Sequence, residues 1–177
     1  MKALPIGYDD FKELRDRGLY YVDKSALIDQ ILSSQAKVLL FTRPRRFGKS
    51  LNLSMLDAYL NSRYAGGPDR FSDLAVSALR PDDPEKNSNF IIKLNFKRLE
   101  TETFELFLDS YRNEMRLLFE TFDELLGSEK LTPVLREYYA TLSGVTFDYN
   151  LLAKAIQYLC EMIDLHYGKK PIILIDE

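Results

Sequence analysis

The chain has 177 residues, 46% hydrophobic and 29% charged, with 11 Tyr, 11 Phe and no Trp. That length supports a single domain with a real core, and the apolar content excludes collagen-like, low-complexity and disordered chains. Lys+Arg 24 against Asp+Glu 27 leaves a formal charge of -3, which gives no support to a nucleic-acid coat.

Taken in chain order, Asp9 or Asp10 can cap a short helix carrying Phe11 and Leu14, and Gly18 stands where a helix stop is expected. Leu19 to Val22 is a short β-prone run. Ser25 can cap a second helix over Ala26 to Leu32. Val38-Leu39-Leu40-Phe41-Thr42 is an unbroken apolar run of the kind found in buried parallel strands. Arg43 to Gly48 read as a loop, and Ser50 to about Arg63 as a helix with Leu53, Leu56 and Leu60 on one face. Gly66-Gly67-Pro68 and Pro81-Asp82-Asp83-Pro84 are loop signals, the acidic Asp82, Asp83 and Glu85 reading as solvated.

Phe90 to Phe96 is a second strand. Phe104, Phe107, Tyr111, Met115, Leu118, Phe122 and Leu125 keep helical spacing across one long helix, an aromatic stripe read as core. Pro133 opens a shorter helix with Leu135, Tyr138 and Leu142. Asp148 can cap another that Gly168 ends, with Leu152, Ile156, Leu159 and Ile163 inward. On it Cys160 reads as a buried structural thiol and His166 as a favourable C-terminal cap. The final strand is Ile172 to Ile175, and strands separated by helices give an α/β layered fold.

One Cys and one His exclude an intrachain disulfide, a cysteine zinc site and histidine-rich metal centres. The N-terminus lacks a signal-peptide core, and no apolar run approaches the roughly 20 residues that span a bilayer. The expectation is a cytoplasmic protein with no membrane partner.

Charge is unevenly spread. No acidic residue stands between Asp29 and Asp57, where Lys37, Arg43, Arg45, Arg46 and Lys49 all fall. Such a patch on an acidic chain suggests a specific anion site. Arg43-Pro44-Arg45-Arg46-Phe47-Gly48-Lys49-Ser50 lies between the apolar run and an amphipathic helix, the context a P-loop requires. Backbone N–H groups of such a loop, with the helix N-terminus, converge on phosphate. Lys49 would meet the β- and γ-phosphates, Ser50 would coordinate Mg²⁺, and Gly48 would let the backbone approach closely. The general pattern wants Gly where this sequence has Arg43.

At the other end, four aliphatics followed by Asp176-Glu177 match a Walker B segment. Its acids belong at the carboxyl end of a strand near the phosphates. Asp176 would hold Mg²⁺, and Glu177 would orient and deprotonate the attacking water.

The loop Arg43 to Ser50 resembles the bacterial and archaeal AAA-ATPase-like family, whose P-loop reads Arg-Pro-Arg-Arg-Phe-Gly-Lys-Ser/Thr. The resemblance takes in Leu4-Pro5-Ile6-Gly7, Phe11, Tyr20 to Ser25, Leu51 to Leu56 and Ile173 to Glu177. Within that family Arg43 is the usual residue. The resemblance implies a P-loop NTPase-type three-layer sandwich with a largely parallel sheet. It implies ATP and Mg²⁺ as cofactors, bound by Arg43, Pro44, Arg45, Arg46, Phe47, Gly48, Lys49, Ser50 and Leu51. Ser50 and Asp176 would take the metal, and Lys49 and Glu177 would act in catalysis. Tyr21, Asp23 and Lys24 match the family's motif before the loop, for which no role is established and nucleotide contact is a guess.

Residues 1–36 form the family N-terminal segment, 37–63 the strand-loop-helix, 101–168 a helical segment and 171–177 the Walker B strand. Members are usually longer and often carry a C-terminal nuclease-like domain, so the chain is expected to be the N-terminal part of such an ATPase, incomplete at its C-terminus. Its expected partners are nucleotide and that missing part, with room for a homo-oligomer. Without a further strand, Val38 to Phe41 and Ile172 to Ile175 would have exposed edges. ATP hydrolysis is the leading function. Nucleotide binding without turnover, and a P-loop kinase acting on a small acceptor, are the alternatives.

Overall fold

A computed structural model describes residues 2–42, 44, 46–143 and 149–176, without the side chains of Arg98, Ser143 and Tyr149. Of the residues singled out above, Arg43, Arg45, Asp148 and Glu177 lie outside the described set. The chain is α/β. Helices α1 (Phe11–Asp16), α2 (Ala26–Ser33), α3 (Lys49–Leu60) and α4 (Ala75–Leu79) precede strand β1 (Ile91–Asn95). Helices α5 (Phe104–Glu120), α6 (Pro133–Ser143), α7 (Tyr149–Leu152) and α8 (Ala155–Tyr167) follow, and β2 (Ile172–Asp176) comes last. The two strands pair as a parallel sheet. Contacts divide the chain into one unit running to Ile91 and taking in Asp176, and a second over Ile92–Ile175.

The first unit is built around aromatic packing. Phe11 stacks on Phe71 at 5.0 Å between ring centroids, and Tyr59 meets Phe71 edge-on at the same distance. Both geometries suit the ring quadrupole. Asp10 caps α1 by accepting the Glu13 N–H at 2.9 Å. The Phe11 N–H, one of the donors a helix leaves unpaired at its start, goes to Ser54 Oγ on α3 at 2.9 Å. Arg70 grips Asp16 through two 2.8 Å bonds, and Arg15 pairs with Asp73, so the chain after α3 is tied back to α1.

Helix α3 is buried continuously from Ser54 to Leu60. Its last carbonyls are met by Asn87, whose Nδ2 donates to Ala58, Tyr59 and Asn61 at 3.1, 3.2 and 3.1 Å. Asn87 takes a left-handed φ of 51°, a conformation Asn tolerates better than most residues.

The second unit buries Met115, Leu118, Phe119 and Phe122 against Leu135, Tyr139, Leu142, Leu159, Met162 and Ile163. Tyr139 Oη donates to the carbonyls of Phe119 and Phe122 at 2.9 and 3.2 Å, alongside the backbone N–H groups of Phe122 and Leu125 that the same carbonyls accept. Burial pushes the Tyr139 phenol up to about 12.

Several expectations are corrected here. Lys37 to Thr42 contain no strand, and Val38 and Leu40 are 84% and 85% exposed. A strand exists only with a hydrogen-bonded neighbour, and the described strands pair with each other. The final strand expected over Ile172 to Ile175 is present as β2, with Leu174 buried and Ile173 and Ile175 exposed. Leu19 to Val22 likewise form no strand.

The long helix expected to reach Leu125 stops at Glu120, and a 3₁₀ turn over Asp123–Gly127 follows. Phe104 at its start is 65% exposed, so the aromatic stripe enters the core only toward its C-terminal end. The last long helix breaks between α7 and α8. Gly168, at φ 73°, does end α8. Cys160 is half-buried, which raises its thiol, and the His166 ring pairs with Ser128 Oγ at 2.7 Å instead of serving only as a helix cap. Asp83, expected in solvent, has a side chain only 1% exposed, held by Arg80 and Tyr59.

Candidate functional site

The basic loop enters α3 through two left-handed residues, Arg46 at φ 68° and Gly48 at φ 76°, on either side of Phe47, which has no positive φ. Glycine takes this conformation freely, whereas for arginine it is uncommon and costs roughly 1–3 kcal/mol. Left-handed residues in such a turn are the backbone geometry from which anion-binding nests are built.

The helix start reinforces it. Gly48 occupies the N-cap and offers no side chain, so the first N–H groups of α3 have no capping acceptor from that position. Its first turn contains no acidic residue, and Lys49 stands at the first helical position, where the helix dipole disfavours a cation. Lys49 and Ser50 are half-buried, and among the described residues neither side chain makes a hydrogen bond or ion pair. The arrangement presents positive charge and unspent donors in one place.

What fixes it is the segment before α2. Tyr21 Oη donates to Met55 Sδ on α3 at 3.1 Å, and the Tyr21 ring meets Phe11 edge-on at 5.3 Å. The Asp23 carboxylate accepts the Ser25 N–H at 2.8 Å through one oxygen and the Ala75 N–H at 2.8 Å through the other. Burial raises the Asp23 carboxyl, but the Ala75 and Ser25 bonds outweigh it and hold the group below its ordinary value. Ser25, expected to cap α2, makes no such bond. Its buried Oγ accepts the Val76 N–H at 3.0 Å. Between these anchored residues, Lys24 extends to Gly48: a Cβ placed on that glycine would lie 3.9 Å from Lys24 Nζ.

Asp176 closes β2. Among the described residues no group of three or more His, Cys, Asp or Glu is placed to hold a metal ion, and no helix is long and apolar enough to cross a membrane.

The family model described as Predicted AAA-ATPase matches residues 5–177. This chain belongs to that family. The AAA-ATPase assignment covers the basic loop and the terminal acidic strand together. An uncharacterized protein in the vnfD 5′ region of Azotobacter chroococcum mcd 1 is 40% identical over 76 residues. That match takes in 42% of this AAA-ATPase-family chain and 14% of the relative's length. No solved structure matches it.

In this AAA-ATPase-family chain, a hollow of about 420 Å³ lies away from the loop. It is lined by Tyr59, Arg80, Asp83 and Lys86, whose polar groups are committed: Arg80 and Tyr59 to Asp83, and Lys86 to Asp69. The residues that sequence reasoning missed are Asp23 and Ser25 as partners of α4 and Lys24 as a neighbour of Gly48. Their Asp-x-Ser pattern is a capping signal, but nothing in it names a helix fifty residues away.

Proposed function

We propose that the chain is the nucleotide-binding part of an ATPase, with the loop Arg43 to Leu51 holding the phosphates of ATP. The observation that carries this reading is the start of α3, where left-handed Arg46 and Gly48 lead into Lys49 and Ser50 with no acid in the turn. Unpaired N–H groups, the helix dipole and the Lys49 ammonium together form a site for an oligophosphate. The family match to residues 5–177 supports the same reading.

Mg²⁺ fits the donors available. The Ser50 hydroxyl has no partner among the described residues, and Asp176, at the end of β2, would add a carboxylate. Both are hard oxygen ligands, and this ion keeps several waters, so two protein donors suffice. When bound, the ion neutralises charge developing on the phosphates. Lys49 would contact the β- and γ-phosphates and the loop N–H groups would hold their oxygens, while Glu177 would take a proton from the attacking water as its oxygen bonds the γ-phosphorus and the bridging O–P bond breaks, releasing ADP and phosphate. The parallel-sheet sandwich of P-loop proteins is the fold proposed for this domain. Hydrolysis is proposed for the whole protein, because this chain matches only 14% of its relative's length.

The test is thermal unfolding with and without Mg·ATP, on this chain and on Lys49→Ala. Ligand at about a hundred times its dissociation constant stabilises the folded state by roughly 2.7 kcal/mol. A shift that vanishes in Lys49→Ala supports the site; a cooperative transition that ATP does not move overturns it. Product analysis follows: free phosphate marks an ATPase, and a phosphorylated metabolite marks a kinase.

A further inference from the structure

We infer that Lys24 is a second phosphate-binding cation of this loop, recognising the di- or triphosphate of the nucleotide; the inference rests on the phosphate-site reading above. Lys24 is far from the loop in sequence, yet a Cβ placed on Gly48 would lie 3.9 Å from Lys24 Nζ, its one neighbour within 4 Å among the described residues beyond Phe47, Lys49 and the α3 backbone. Gly48 is the residue whose missing side chain opens the backbone to a ligand, so the ammonium stands beside that opening.

The placement is built. Tyr21 fastens the chain before Lys24 to Met55, and Asp23 and Ser25 fasten it on either side to the start of α4. The Lys24 N–H itself donates to Tyr21 Oη at 3.4 Å. The Lys24 side chain is exposed and has no carboxylate partner among the described residues. Neither Arg46 nor Lys49 has one, and the first turn of α3 supplies none. Two lysines and a positive helix end are thus gathered without a counter-charge, and an oligophosphate supplies one. The motif Tyr21-x-Asp23-Lys24 acquires one role throughout: Tyr21 and Asp23 position the backbone, and Lys24 reaches the ligand.

Calorimetric titration with Mg·ATP and, separately, with inorganic pyrophosphate tests this on the wild-type chain, Lys24→Gln, Lys24→Arg and Lys49→Ala. Lys24→Gln should weaken both ligands about ten- to a hundredfold, the range for losing a charge-assisted hydrogen bond. Lys24→Arg should restore most of the affinity. The unfolding midpoint of ligand-free Lys24→Gln should match wild type, because no ion pair is lost. Wild-type affinity in Lys24→Gln, with binding lost in Lys49→Ala, would overturn the role of Lys24 while leaving the site intact. Equal loss in Lys24→Gln and Lys24→Arg would also overturn it. A wild-type chain that binds neither probe would overturn the phosphate site itself.

Discussion

The phenol of Tyr59 donates to the carboxylate of Asp83 across 2.8 Å, while Arg80 holds the same carboxylate at 2.7 Å and reaches Asp29 at 3.2 Å. Burial raises Asp83, but the Arg80 bond, the Glu85 N–H and the Tyr59 hydroxyl together bring it below its ordinary 3.8. Asp16, held chiefly by Arg70, and Asp69, held chiefly by the Phe71 N–H, are lowered as well. A carboxyl with a depressed folded value contributes stability above its unfolded value and loses it as pH falls through the folded one. Stability should therefore decline from about pH 3.8 downward. Asp83→Asn should be less stable at pH 7 and show a shallower acid decline. Urea unfolding at a series of pH values checks both, and an unchanged acid slope would refute the assignment.

Tyr139→Phe removes one hydroxyl and leaves the ring packed against Phe119, 5.3 Å away. The carbonyls of Phe119 and Phe122 keep the Phe122 and Leu125 N–H donors, so the expected cost is that of a net hydrogen bond, about 0.5–1.5 kcal/mol. Denaturant unfolding should register this as a lower midpoint at unchanged slope.

Asn87 gives a sharper comparison. Asn87→Gly keeps the left-handed backbone but loses the bonds to three carbonyls, whereas Asn87→Asp places a carboxylate against those acceptors. Both should destabilise, with Asp the more damaging, because like partial charges face each other at the negative end of α3. Equal losses would mean that the missing amide donors, common to both variants, set the cost and that carboxylate repulsion adds nothing.

Val38 and Leu40 are almost fully exposed. Replacing both with lysine should change monomer stability by less than about 0.5 kcal/mol, the usual range for surface positions. Removing two apolar groups from an exposed segment should lower self-association, which light scattering at rising concentration measures.

How far the sequence could be read depended on the range of the forces involved. Most local signals held, though Ser25 does not cap α2: Asp10 caps α1, Pro133 opens α6, and Gly168 ends α8 in a left-handed turn. Apolar spacing identified β1 and the buried half of α5. Val38 to Phe41 were misread because hydropathy reports a preference for burial, not the presence of a neighbouring strand to pair with. Asp83 was misread because its partners are set by tertiary packing. At the candidate site, Gly48, Lys49 and Ser50 were legible as a motif. Lys24 was not, since nothing in its spacing announces that it lies against Gly48.

Helix α4 has five residues, and its own N-cap, Leu74, makes no side-chain cap hydrogen bond. Its first two N–H groups are met by Asp23 and Ser25, 52 and 51 residues upstream. An isolated helix of this length is unstable in water, and its nucleation is costly. A peptide over residues 69–90 should therefore be a random coil by circular dichroism. During folding α4 must wait for a loop of about fifty residues to close, so its amides should gain protection in the same late step that docks the Tyr21 segment on α3.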